Sequence, residues 1–336
     1  MRSVLMVPMD CLPDDDQLRA SWLRRLFPDH VVRSGRKEDR WHLELAWPKD
    51  HDWYVDPRLE QGLRWWSPSF DITDIPSAHR DLGGYQLSML DSWSLLAWSR
   101  WLRAQAETGA PPGQLVLLHV DEHDDLMTPH LSSTGGAWRD ILTARDFDLL
   151  EPESVAGAVA SGAVGIASFI VPLLHFGPTV HIRHLAASGA SSWQPRTCGL
   201  ARAHLQDPAL GAGVYRPCLR PVEPQSPEAP TYTVTRSLQS WLADLPPGPV
   251  FLHIDLDYLN NRYDGDSHWP ARSPRHDPAV AEALATLDAL FSALHVSGTW
   301  ERIVNTTVAL SPGFFPAELW QIAVERLDDH FGEEKA

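Results

Sequence analysis

Cysteine is scarce: Cys11, Cys198 and Cys218 are the only three in 336 residues, and no two form a CxxC pair. That excludes a disulfide scaffold and a cysteine-bound zinc, and it fits a reducing cytoplasm. Long apolar runs are missing too, since no stretch approaches the ~18 to 20 residues of a membrane span. The apolar start Met1–Met9 is too short for a secretory signal and runs into Asp14–Asp16, so it reads as a first strand. Positive charge is outnumbered, 28 Lys and Arg against 44 Asp and Glu, a formal net charge of −16. Nucleic acid and anionic membrane are therefore disfavoured as partners. There is no G-x-S-x-G elbow and no G-x-x-x-x-G-K-[ST] loop. Gly83-Gly84 and Gly135-Gly136 read as turns.

The hydrophobic content of 43% and charged content of 21% are those of an ordinary globular chain. The length allows one large α/β domain or two smaller ones. Fifteen tryptophans are present, with Trp41, Trp47, Trp53, Trp65, Trp66, Trp93, Trp98 and Trp101 crowded early. Most are expected to fill core, and a minority to wall a groove for a peptide.

Residues 1–80 read as short strands and loops, a Trp-rich segment packed on a main domain at 81–336. Leu87 to Glu107 carries Leu90, Trp93, Ala97, Trp98 and Trp101 at helical spacing. After the break at Pro111-Pro112-Gly113, Gln114–Val120 is a nearly continuous apolar run, as expected of a strand buried on both faces. Ala163 to Val171 is another apolar run with β-branched residues. The stretch from Ala187 to Thr231 is irregular, with a proline-dense exposed loop at 221–230. Pro249–Ile254 is a second buried-type strand. Asp277 and Pro278 are placed as N-cap and first residue of a helix to about His295. Ile303–Leu310 reads as a last strand and Pro316–Phe331 as a last helix. Strands alternating with helices predict an α/β fold with a mainly parallel central sheet.

Two segments place carboxylates directly behind buried strands: His119-Val-Asp121-Glu-His123-Asp-Asp125 and His253-Ile-Asp255-Leu-Asp257. Ligand sites in open α/β sheets lie beyond the carboxyl ends of the strands. In extended backbone, Asp121, His123 and Asp125 share one side, and so do Asp255 and Asp257. Glu122 and Asp124 then point the other way and read as solvated or loop-stabilising. Carboxylates converging in a dry site require cations, and oxygen-rich ligation with an imidazole suits manganese, magnesium or iron(II). His119 and His253, one strand-step inside, read as partners behind the ligands. His175, His181 and His184 show no ligand spacing and read as structural or surface residues.

The paired motifs resemble those of the arginase-like ureohydrolase and deacetylase superfamily, in which D-x-H-x-D and a later D-x-D bind two manganese ions. The run through Thr128-Pro129 resembles arginase beyond the ligands. Ala167–Pro172, Asp255–Asn261 and Ala309–Pro316 are more similar to a bacterial branch of peptide arginases, which convert arginine to ornithine within ribosomally made peptides. The resemblance implies a three-layer sandwich, a Mn2+ pair (with Zn2+ or Fe2+ as alternatives), and a peptide or small guanidino substrate; homo-oligomers are common in the family. It also implies that Asp121 and Asp255 are shared by both metals, Asp125 completes one shell, and His123 and Asp257 complete the other. Water between the cations would supply the nucleophile for the guanidinium carbon, releasing urea. The sequence departs from the pattern at three places. Asp91 stands where the family has an upstream histidine ligand. Trp138 stands where it has a shuttling histidine, which makes nearby His130 the candidate shuttle. Ser311 and Pro312 occupy the neighbourhood of the glutamate that orients substrate, making Ser311 a candidate substrate contact. Two other readings stay open: a mononuclear amide hydrolase using Asp121, His123 and Asp255, and an inactive relative that binds peptides.

Overall fold

A computed structural model describes residues 2–332, apart from 28–29, 47–52, 110, 188–193, 208–209, 211–212, 225, 227–228 and 274–275. In chain order the strands begin with β1 (Arg2–Pro8), β2 (Val31–Lys37), β3 (Arg40–Ala46), β4 (His79–Asp81) and β5 (Gln86–Ser88). Next come β6 (Gln114–Val120), β7 (Leu131–Ser132), β8 (Trp138–Asp140), β9 (Asp146–Phe147) and β10 (Thr179–Leu185). The last five are β11 (Arg196–Gln206), β12 (Tyr215–Val222), β13 (Thr231–Thr235), β14 (Val250–Asp255) and β15 (Ile303–Ala309).

Nine of these form one mixed sheet in the order β12-β11-β13-β10-β6-β14-β15-β5-β4. The six strands from β13 to β5 in that order run parallel to their neighbours, and the antiparallel pairings lie toward its two edges. Every residue of Leu115–Val120 and of Val250–Asp255 is buried, so both faces of the central strands are covered, as parallel sheets require. Helices Ser94–Glu107 and Ile170–Phe176 pack on the sheet and on each other, while Leu238–Leu242 packs on β10, β13 and helix Val280–Val296. The fold is α/β, compatible with a three-layer sandwich.

The central register follows from alternation. β14 pairs with β6 so that His253 faces His119 and Ile254 faces Val120. The next residues on the two strands are Asp255 and Asp121, which brings both motifs to one end of the sheet.

Residues 1–80 share the main core. They form a separate antiparallel sheet, β1-β3-β2, and two helices, Asp16–Leu26 and Leu59–Trp66, where short strands and loops were expected. Asp56 accepts hydrogen bonds from the Ala317 amide (2.7 Å) and the Tyr263 hydroxyl (3.0 Å). Of the tryptophans, Trp41, Trp93, Trp98, Trp241 and Trp320 are buried; Trp47 lies outside the described residues.

Several expected elements differ. Leu87 and Ser88 belong to β5, Asp91–Trp93 is a 3-10 turn, and the helix begins at Ser94. Gln86–Ser88 finds a hydrogen-bonding neighbour in β15, which helical periodicity does not register. The 163–171 run is loop followed by helix, because Pro172 sits near the start of Ile170–Phe176, where its missing amide costs nothing. Much of 187–231 forms β11 and β12, paired from Gly199–Val222 to Gln206–Tyr215. Pro221 and Val222 are the last two residues of β12 rather than the start of a loop, and positions 225 and 227–228 of the proline-rich stretch lie outside the described residues. Asp277 does not cap its helix, which starts at Val280. Its carboxylate instead accepts from Asn260 Nδ2 and Arg262 Nε, both at 2.9 Å.

Gly313 has φ +87°, and a Cβ there would fall 2.0 Å from the Trp53 carbonyl oxygen. Gly313→Ala should therefore lower unfolding free energy by about 2 kcal/mol or more, from left-handed strain plus the clash, as read by urea denaturation.

Candidate metal centre

Beyond the carboxyl ends of β6 and β14 the backbone stops being extended. Asp125 has φ +50°, and Asp257 lies on the 3-10 turn Leu256–Tyr258. The alternation expected for Asp121, His123 and Asp125 therefore does not continue, yet the loop turn still brings the side chains together. Asp91, His123, Asp125, Asp255, Asp257 and Ser311 line one cleft of about 260 Å³, walled by Trp53, Leu90, Met127, Ile166, Pro312 and Phe314.

Asp121 is at the centre of the arrangement. Its ligand atoms lie within 4.8 Å of those of Asp91 and Asp125 in one group and of His123 and Asp257 in a second; a third group, with His119 and His253, lies off the cleft lining. Its Oδ1 accepts from the His123 amide (2.6 Å). Its carbonyl accepts from His184 Nε2 (2.9 Å), while His184 Nδ1 accepts from the Tyr232 hydroxyl (2.6 Å). His184 thus holds Asp121 in place, a role its spacing did not suggest.

Three carboxylate oxygens in this cluster, Asp91 Oδ1, Asp121 Oδ2 and Asp125 Oδ2, are buried and have no hydrogen-bond partner. Burial, reinforced by neighbouring carboxylates, raises Asp91, Asp125 and Asp255 well above the usual range, and Asp121 to about 7. A buried, unpaired anion is costly, so this donor set fits hard divalent cations. Asp91 is 5% exposed and sits inside the cluster, not on a helix surface; it supplies oxygen where the family pattern has imidazole.

His123 points Nδ1 at Asp257 Oδ2 (3.0 Å) and Asp121 Oδ1 (3.4 Å), and Nε2 at Asp264 Oδ1 (3.7 Å). Burial pulls this imidazole down, but Asp257 and Asp121 outweigh it and hold the group well above its usual range. Asp264, on a residue with φ +51°, went unrecognised in the sequence. A carboxylate behind a ligand histidine fixes ring orientation, and the only signal was its place before the turn residue Gly265.

Asp255 stands apart from the two donor groups. Its Oδ1 accepts from the Asp257 amide (2.9 Å), and its Oδ2 accepts from the Ser311 hydroxyl. Ser311 therefore grips a carboxylate as well as lining the cleft. Glu122 is buried rather than solvated: its Oε1 accepts from the Ala187 amide (2.9 Å), and burial and Asp257 push it up to about 8. Asp124 is half-buried and lines the cleft.

Behind the cleft, His119 Nε2 donates to the His123 carbonyl (2.9 Å), which leaves Nδ1 to accept from His253 Nδ1 (3.0 Å). His253 packs edge-on to Trp98 and against Phe169. Burial lowers His119 well below its usual value and His253 to about 3. Both are held neutral by burial, and with Asp121 they make up the third donor group.

His130 is not in the cleft. It stacks on Phe27, donates to the Leu26 carbonyl, and lines a neighbouring cavity with Arg25 and Arg216. Trp138 packs with His175, Phe176 and His204. The shuttle expected of His130 has no support in this geometry, because the ring is committed to the N-terminal segment. No protein-family model matches the chain, and a search of curated proteins finds no match.

Two outcomes are expected here. Asp121→Ala should abolish divalent-metal retention and the thermal upshift on adding Mn2+, because both donor groups share that residue; Asp91→Ala should weaken one site only. Metal analysis with calorimetry reads both. Burial holds His130 at about 3, so the unfolded chain takes up its proton first as pH falls below the ordinary histidine value. Stability is present above about 6.5 and lost toward 3. His130→Gln, which keeps a donor but does not titrate, should flatten that slope by up to ~1.4 kcal/mol per pH unit, measured by urea unfolding across pH.

Proposed function

We propose that this chain is a dinuclear metal hydrolase with an arginase-like three-layer architecture, acting on the guanidino group of a peptide-borne arginine to give ornithine and urea. The observation that carries the reading is Asp121 shared between the two donor groups with residues on the cleft lining, one with Asp91 and Asp125, the other with His123 and Asp257. Mn2+ is the expected ion, since four of these five ligands are hard carboxylates. When bound, a divalent pair supplies Lewis acidity and makes water a nucleophile near neutral pH.

The chain's own residues do the rest. Asp125 Oδ2, buried and without a hydrogen-bond partner, is the atom that would take up a proton released by the attacking water. Ser311 and the Asp257 amide orient Asp255. His184 and Asp264 hold Asp121 and His123. Trp53, Met127 and Phe314 give the cleft apolar walls, which suit the methylene stem of an arginine side chain and limit water around the reacting carbon.

The test is urea release from arginine-containing peptides by metal-reconstituted protein. Activity should appear with Mn2+, disappear on chelation, and fall at least 100-fold in Asp121→Ala or Asp257→Ala. Protein holding a single zinc or iron, with acylated substrates cleaved and no urea formed, would support the mononuclear amide-hydrolase reading. Binding of peptide with no metal retained would support an inactive relative.

A further inference from the structure

The charge of the cleft narrows what it can hold. Asp91, Asp121, Asp125, Asp255 and Asp257 bring one more negative charge than two divalent cations cancel, because Asp91 is anionic where the family pattern has a neutral imidazole. Among the described residues no Lys or Arg lines the cleft. One further carboxylate does: Asp124, between His123 and Asp125, belongs to none of the donor groups around Asp121. Among the described residues its one hydrogen bond is a long one from the Leu126 amide, 3.4 Å, and no salt bridge reaches it. A half-buried anion free of both metal and salt bridge, beside apolar walls, is suited to a cation carried on an apolar stem.

The aromatic side of that wall is built in. Phe314 sets its ring edge against His123 (5.4 Å between centroids). A Cβ at Gly265 would run into the Phe314 ring, and one at Gly313 into the Trp53 carbonyl, so glycines seat the Phe314 ring and the Trp53 backbone. Trp and Phe faces favour cations, and guanidinium stacks on them well.

We propose that Asp124 is the specificity-determining residue of this cleft, selecting a substrate by pairing with its guanidinium. The assignment rests on the guanidino reading of the site and names the residue that enforces it. It adds a role to Asp124, read from the sequence as solvated or loop-stabilising.

The test uses Mn2+-reconstituted full-length protein and two capped probes, an N-acetyl-arginine amide and its neutral isostere, the N-acetyl-citrulline amide, with binding followed by calorimetry. Wild type should prefer the arginine probe. Asp124→Asn should lose roughly tenfold or more of that preference, with weakening confined to the arginine probe and with metal stoichiometry and thermal stability kept at wild-type levels. Asp124→Glu should restore most of the preference. An Asp124→Asn protein that holds its full metal content and keeps the preference overturns the proposal, and so does a wild type that does not discriminate between the probes. Urea measured in the same samples separates the two readings. Preference without urea removes hydrolysis and leaves Asp124 as a cation selector. Urea with preference unchanged in Asp124→Asn does the reverse.

Discussion

The parallel pairing of β6 with β14 is the constraint on which the cleft depends. With His253 opposite His119, the two acidic motifs leave the sheet side by side, and Asp121 and Asp257 converge on His123. A one-residue slip would turn every side chain of one strand to the other face, separating Asp255 from Asp121. The burial of both strands makes such a slip costly, since it would exchange packed surfaces on both sides of the sheet. The histidines reinforce the register, because their Nδ1 atoms meet at 3.0 Å.

That strongly ordered frame supports a cluster at odds with itself. Several carboxylates are forced together without enough donors to satisfy them, and burial raises their proton affinity. The surrounding groups, Ser311, His184, Tyr232 and the local amides, restrain individual oxygens but leave three unmet. Such strain at one end of an otherwise well-satisfied sheet is characteristic of functional sites.

Much of this was legible from residue order. Continuous apolar runs marked β6 and β14, and acidic residues directly after them marked the cluster. What was missed shares a cause. Leu87–Ser88, β11 and β12 depend on neighbouring strands, which local periodicity does not encode. Glu122 and Asp124 do hold loop amides, of Ala187 and Leu126, but Glu122 is buried and Asp124 lines the cleft, because alternation does not extend past the last paired residue, Val120. His130 and Asp277 were assigned roles by their position in the chain, but distant partners, Leu26 and Phe27 for one and Asn260 and Arg262 for the other, decide what they do. Asp264 needed the tertiary fold to be seen at all.

The seat of Trp53 has a wider consequence. The Trp53 carbonyl, from the front of the chain, is packed against a loop near its far end, through a glycine that admits nothing larger. One part of the cleft's wall therefore comes from the front of the chain, while the acidic residues beneath it follow β6 and β14. Divergence in the first 80 residues would reshape what the cleft admits while leaving the acidic floor untouched, so recognition and chemistry can change at different rates in the same fold.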